Sequence, residues 1–150
     1  MKENKGFTLV ELLVVIAIIG VLASVVIAAL NGARDKASDT AIKGNLNHMR
    51  AQTNIYFSDY GHFGAKVESS DCDAGIFADS VINKAIKDSV QKNGGEDADC
   101  VSSGPGTYAD SWAISVPLKS DNGDTWCIDS EGTAAQSGIA GVTSNVASCE

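Results

Sequence analysis

The sequence predicts an α+β protein in which a long N-terminal α-helix packs its second half on a small antiparallel β-sheet. Residues 12–30 form an apolar run without a single charge. After that run, apolar residues recur at helical spacing as far as about Ser58. From Thr107 onward the apolar period changes to two, which is typical of strands. A helix with a transmembrane half and an amphipathic half, followed by a sheet, explains all three patterns.

The apolar run is long enough to cross a membrane. Its 19 residues would rise about 28 Å as an α-helix, close to the roughly 30 Å hydrocarbon core of a bilayer. The run has no polar face, which excludes a soluble amphipathic helix. Glu11 stands at its start, where a carboxylate is costly in lipid. Two interpretations stay open: Glu11 pairs with the N-terminal amine of a neighbouring copy, or it lies at headgroup depth, where the helix dipole stabilises it.

The same helix is expected to continue beyond the membrane and to end near Ser58. Arg34 and Lys36 mark the exit at the outer headgroups, and polar residues then alternate with apolar ones at helical spacing. Only this second half therefore has a face for a globular domain. The predicted core face consists of Ala41, Ile42, Leu46, Met49, Thr53 and Phe57.

A second, shorter helix is predicted over residues 76–92, and Asn93-Gly94-Gly95 should end it. The acidic segment 96–100 that follows predicts a loop. Its carboxylates could hold a cation, but a solvated loop is the favoured interpretation because nothing fixes the ligand spacing. The apolar stripe of the second helix consists of Ile76, Val81, Ile82, Ala85, Ile86 and Val90.

The sheet is predicted in the last third of the chain. Trp112, Ile114 and Val116 alternate with small residues, which predicts a strand with one buried face. A hairpin loop over 119–124 should lead to a return strand at 125–129. A third strand is expected within 133–136.

The acidic residues of this region are compatible with a calcium site but do not predict one. Asp121, Asp124, Asp129 and Glu131 lack the spacing of an EF-hand loop. Turns and a solvated surface are the favoured interpretation. We therefore expect no metal and no cofactor.

Charge and motifs exclude several functional classes. The net charge is −8, divided into +2 for the residues through Gln52 and −10 for the remainder. An acidic head argues against nucleic acid as a partner, because phosphate backbones attract basic surfaces. The chain has no nucleophile elbow, phosphate loop or His-Glu-x-x-His motif, and neither His48 nor His62 stands in a nucleophile arrangement. No catalytic residues are predicted, and we do not expect an enzyme.

The four cysteines all follow the apolar run and contain no C-x-x-C pair, so zinc and redox motifs are weak interpretations. An even number in a translocated domain favours disulfides, and three pairings are possible. Local pairing is the simplest choice. It joins Cys72 to Cys100 around the second helix, and Cys127 to Cys149 between the sheet and the C-terminal tail.

Residues 5–23, Lys-Gly-Phe-Thr-Leu-Val-Glu followed by the apolar run, resemble the N-terminus of type IV pilins and type II secretion pseudopilins. The resemblance implies a leader peptide that a prepilin peptidase removes by cutting between Gly6 and Phe7. It implies N-methylation of the new amine on Phe7. It also implies that Glu11 pairs during assembly with the N-terminus of an adjacent subunit, and that the fold is pilin-like.

Two features refine the resemblance. The glycine at position 20 matches a family glycine at which the helix can melt in the filament. Many major pilins also carry a proline where this chain has Ala28, and the absence of that proline favours pseudopilins slightly.

An ordinary cleaved secretory signal is disfavoured because the apolar run is too long and lacks a convincing cleavage site.

The predicted organisation is a leader at 1–6, a transmembrane and filament-core helix at 7–33, and an extracytoplasmic globular head at 34–150. The predicted function is a structural pilin subunit that polymerises into a type IV pilus-like filament. One alternative is a pseudopilin of a secretion system, and another is a monomeric membrane-anchored ligand-binding protein. The expected partners are other copies of the chain, the peptidase, the membrane assembly machinery and, before assembly, the lipid bilayer. The expected location is the membrane and then a surface filament or periplasmic pseudopilus.

Overall fold

A computed structural model describes residues 6–67, 72–120, 123–137 and 147–149, except the side chains at 28 and 137. The chain divides into two compact units, Met1–Asp35 and Lys36–Glu150. The unit boundary falls two residues beyond the predicted boundary between filament-core helix and head. Five of the six predicted leader residues, as well as Asp121 and Asn122 of the hairpin loop, lie outside the described residues.

Helix α1 spans Leu9–Tyr60 and has 52 residues, which confirms the single long helix predicted from the apolar periodicity. In the first unit, every described side chain from 9 to 34 is exposed. In the second unit, α1 buries one face, formed by Ile42, Leu46, Met49 and Thr53. The prediction that Phe57 belongs to this face is wrong: its side chain is 41% exposed. The ring lies at the rim of the core, with its centroid 4.8 Å from that of Phe63.

The second helical region is shorter than predicted and begins with a different geometry. A 3₁₀-helix at Gly75–Ala78 precedes helix α2 at Ser80–Asn93. The predicted start at Ile76 is wrong because the Asp79 carboxylate accepts hydrogen bonds from the backbone N–H groups of Val81 and Ile82, which fixes the N-cap. Val81 was predicted in the buried stripe but is exposed. Gly94 ends α2 in the left-handed conformation that favours glycine.

The described residues form one four-stranded antiparallel sheet in the order β1-β2-β3-β4. The strands are β1 at Asp99–Ser103, β2 at Ser111–Pro117, β3 at Thr125–Asp129 and β4 at Ala134–Ser137. The strands predicted around Trp112 and at 125–129 are confirmed, and the third begins one residue later than expected. β1 differs from the prediction, which places Asp99 and Cys100 in an acidic loop.

Strand β2 is buried on both faces, although its alternation predicted only one. Trp112, Ile114 and Val116 join the main core, together with the buried residues of both helices. Ala113 faces a second, smaller cluster with Val101, Cys127, Ala147 and Cys149. The C-terminal tail therefore covers the sheet face that the pattern had left open.

Two disulfides cross-link the head, one in each of these clusters. Cys72 is bonded to Cys100, and Cys127 is bonded to Cys149. These are the two pairs that local pairing favours. The first closes a loop around α2, and the second attaches the tail to β3. Cross-links of this kind typically contribute about 2–4 kcal/mol to the free energy of unfolding.

Candidate functional site

The start of helix α1 is a capping box made by Thr8 and Glu11. The backbone N–H and the hydroxyl of Thr8 both donate to Oε2 of Glu11, each at 2.8 Å. In return, the Thr8 hydroxyl accepts a hydrogen bond from the Glu11 backbone N–H at 3.2 Å. This reciprocal arrangement satisfies backbone donors that have no partner within the helix. Glu11 therefore has a local role in the isolated subunit, and Thr8 is a site residue that sequence reasoning missed.

The Thr8-x-x-Glu11 spacing is itself the signal that could have revealed this cap, because a Thr followed three residues later by Glu marks a helix N-terminus. Both of these hydrogen bonds from Thr8 end on Oε2 of Glu11. Within the described residues, Oε1 has no hydrogen-bond partner and remains available.

The residues at the predicted cleavage point are accessible. Phe7 is 83% exposed and precedes the helix. Gly6 is also exposed, and an added Cβ would meet nothing within 4 Å. Packing within the subunit therefore gives no reason for the small residue at position 6.

The apolar surface of α1 in the first unit has no cover in the isolated subunit. The helix is long and apolar enough, by length and composition, to cross a membrane, and its most apolar 18-residue window has a mean hydropathy of 3.1. A shallow apolar groove on this surface encloses about 360 Å³. Leu13, Ala17, Ile18, Val21 and Leu22 are among its lining residues.

Gly20 lies in the same exposed surface, and a Cβ added there would meet nothing within 4 Å. The subunit's own packing therefore does not require glycine at this position. The side chain of Ala28, which stands where many pilins have proline, lies outside the described residues.

Two acidic residues of the C-terminal half, Asp124 and Asp129, each accept hydrogen bonds from other groups of the head. Asp129 is fully buried, and its carboxylate accepts hydrogen bonds from the backbone N–H groups of Glu131, Thr133 and Cys149. Asp124 accepts one from the side-chain amide of Gln136. Within the described residues no three potential metal ligands come together; Asp121 lies outside them.

Two charged residues on the second half of α1 form hydrogen bonds with loop segments of the head, and sequence reasoning missed both. The buried carboxylate of Asp39 accepts hydrogen bonds from the backbone N–H groups of Lys119 at 2.7 Å and Ser120 at 3.2 Å, and from the Ser120 hydroxyl. The Arg50 guanidinium donates to the carbonyl oxygens of Gly132 and Thr133. Asp39 continues the three-and-four spacing of the buried face, 39-42-46-49-53, and that spacing was the available signal.

Comparison with known proteins adds a motif to this geometry. The family described as "Prokaryotic N-terminal methylation motif" matches residues 1–27, which include Gly6, Phe7 and the Thr8–Glu11 cap. The N-terminal segment of the chain therefore carries this methylation motif. The match coincides with the exposed apolar unit and covers none of the head.

The curated relatives include both type IV pilus proteins and type II secretion proteins. The chain is 55% identical over 47 residues to a type IV wide pilus major component of Thermus thermophilus, covering 31% of this chain and 36% of the relative. It is 36% identical over 63 residues to type II secretion system core protein G of Klebsiella pneumoniae, covering 42% of this chain and 45% of the relative.

A third relative is the type IV major alpha-pilin of Moraxella bovis, which is 46% identical over 46 residues, 31% of this chain and 29% of the relative. The chain thus spans less than half the length of these curated relatives. No solved structure matches the chain significantly.

Proposed function

We propose that this chain is a pilin, the structural subunit of a type IV pilus-like filament. The observation that carries the proposal is the exposed apolar surface of α1 in the first unit, which coincides with the N-terminal methylation motif. Such a surface is stable in only two settings, a lipid bilayer or a bundle of similar helices. Exchange between these settings is the physical basis of assembly.

The leader is the first element of the proposed pathway. Lys2 and Lys5 keep the N-terminus on the cytoplasmic side, while the head is translocated. A prepilin peptidase then cuts between Gly6 and Phe7, and the new amine on Phe7 is methylated. The exposure of both residues supports this step, because a protease must reach the bond in an extended conformation.

Glu11 is the proposed determinant of register. Its Oε2 caps the helix through Thr8, and its Oε1 is available to the Phe7 amine of an adjacent subunit. An unpaired carboxylate in the apolar centre of a filament would cost several kcal/mol, so only subunits in the correct register would be accommodated. A structural rather than catalytic role follows from this mechanism.

A pseudopilin of a type II secretion system is the second candidate. Its support is the similarity to core protein G over 63 residues, together with the lack of proline before Pro105. Both candidates use the same leader, methylated Phe7 and Glu11. They differ in where the filament forms: on the cell surface or in the periplasm.

Deleting the chain's gene in its own cell tests the proposal and separates the two candidates. Loss of surface filaments, restored by the full-length chain, would support a pilus subunit. Loss of protein secretion, with surface filaments unchanged, would support a pseudopilin. Mass spectrometry of assembled material should show a methylated N-terminus at Phe7. A chain that retains residues 1–6 and never polymerises would contradict both.

A further inference from the structure

The head carries an open groove that combines aromatic rings with carboxylates. It encloses about 620 Å³ and lies within the second unit. Phe57 and Phe63 form an apolar wall, while the Asp110 and Glu131 carboxylates line the same groove. Ser111 and Ser130 add hydroxyl groups. We call this surface the acidic groove.

Within the part of the chain that the structure describes, neither carboxylate of the acidic groove is neutralised. Asp110 and Glu131 are exposed, and neither forms an ion pair within the described residues. The combination of an aromatic wall and two unpaired carboxylates suits a long cationic side chain. Its aliphatic part can pack on the rings while its charged end reaches the oxygens.

Lys36 is a cation of the required kind, and it lies on α1 at the start of the second unit. Of the basic side chains that α1 presents in the second unit, Lys43 lies over the Trp126 ring at 4.3 Å, and Arg50 is bonded to backbone carbonyls. Lys36 is exposed and has no such side-chain partner within the described residues. The uneven charge of the chain gives the same complementarity on a larger scale, since the first 52 residues carry +2 and the rest −10.

Lys36 cannot reach the acidic groove of its own subunit. Along α1, 21 residues separate it from Phe57, which corresponds to about 32 Å at 1.5 Å per residue. A parallel second copy that is displaced by this distance along the helix axis would bring its Lys36 level with the groove.

We propose that the acidic groove binds Lys36 of a second copy of this chain. The inference rests on the proposed function, because a filament supplies parallel copies at a fixed axial displacement. It adds a polar contact between the second units of two copies to the apolar helix bundle. It also predicts that one pair of neighbouring subunits is displaced by about 32 Å along the axis.

Zero-length carbodiimide cross-linking of sheared wild-type filaments tests the contact directly, since the reagent joins an amine to a carboxylate only where the two touch. We expect an isopeptide bond between Lys36 and Asp110 or Glu131, which should be absent from subunits dissociated in detergent. Lys66, exposed on the head and also without a carboxylate partner in the described residues, is the internal control. Filaments in which Lys36 forms no such bond would overturn the proposal.

Charge reversal tests whether the contact matters for assembly. Lys36→Glu and Glu131→Lys should each lower filament yield by about tenfold or more, because they place like charges together, and the double variant should recover most of it. Lys66→Glu changes the net charge equally and should assemble normally. Normal yield from Lys36→Glu, or a double variant no better than the single ones, would overturn only the groove contact. Absence of filaments from the wild-type chain would overturn the proposed function as well.

Discussion

In the first unit of this chain, the large apolar side chains of α1 from Leu9 to Leu30 are 46–78% exposed, whereas in the second unit Leu46, Trp112 and Ile114 are at most 1% exposed. The second unit also has two disulfides and a sheet that is covered on both faces. The contrast shows that the head reaches its final packing within one subunit. The apolar helix requires lipid or other copies of the chain to complete its burial.

Matched truncations in the two units should affect the head's free energy of unfolding very differently. Leu46→Ala removes a buried side chain and should lower the head's free energy of unfolding by about 2–5 kcal/mol. Leu13→Ala removes a 55% exposed side chain and should leave that value unchanged, while weakening helix packing in the filament. Both tryptophans, Trp112 and Trp126, lie in the head, so denaturant unfolding of the full-length protein in detergent can be followed by their fluorescence. Equal destabilisation by the two variants would contradict the contrast.

Removal of the tail disulfide should produce the next largest effect. The Cys127–Cys149 bridge has a sequence separation of 22, so Cys127→Ser with Cys149→Ser should cost about 3 kcal/mol of head stability. Membrane insertion should be unaffected, because it depends on residues 12–30. Peptide mapping of the wild-type protein should also find Cys72 joined to Cys100. A crossed pairing, or free thiols in translocated protein, would count against this prediction.

The α2 cap should give the smallest effect. Asp79→Ala removes the acceptor of the Val81 and Ile82 N–H groups and should lower head stability by about 1 kcal/mol. Asp59→Ala is the matched control. Asp59 is exposed near the end of α1 and its side chain forms no hydrogen bond within the described residues, so its loss should change stability by less than about 0.5 kcal/mol. Equal losses from both would show that net charge, not capping, is responsible.

The parts of the fold that local patterns determine could be predicted from the sequence. The apolar run and the three-and-four spacing beyond it were sufficient for α1, and alternation around Trp112 was sufficient for β2. Strand β1 escaped prediction because Asp99, Ser102 and Ser103 are typical of loops. It is a strand because it pairs with β2, for example Cys100 opposite Ile114. Partners distant in sequence override local propensity in such cases.

The candidate site shows the same division. Gly6, Phe7 and Glu11 could be proposed from their motif, and their roles stay predictions. Asp39 could not be assigned its partners, because Lys119 and Ser120 lie about eighty residues away in the chain. The acidic groove was also beyond sequence reasoning. Its carboxylates, on Asp110 and Glu131, meet the Phe57 ring only after the sheet has packed near the end of α1.

We propose that neighbouring copies complete the burial of the apolar helix and that Glu11 fixes the register through its charge. The decisive measurement is the filament yield of Glu11→Gln, with this chain as the only pilin in its cell. Glutamine still offers an oxygen to Thr8, so the helix cap is retained and only the charge is lost. We expect normal membrane levels, cleavage before Phe7, and a filament yield reduced by at least about tenfold. Filaments at wild-type yield would contradict this proposal and leave Glu11 as a helix cap alone.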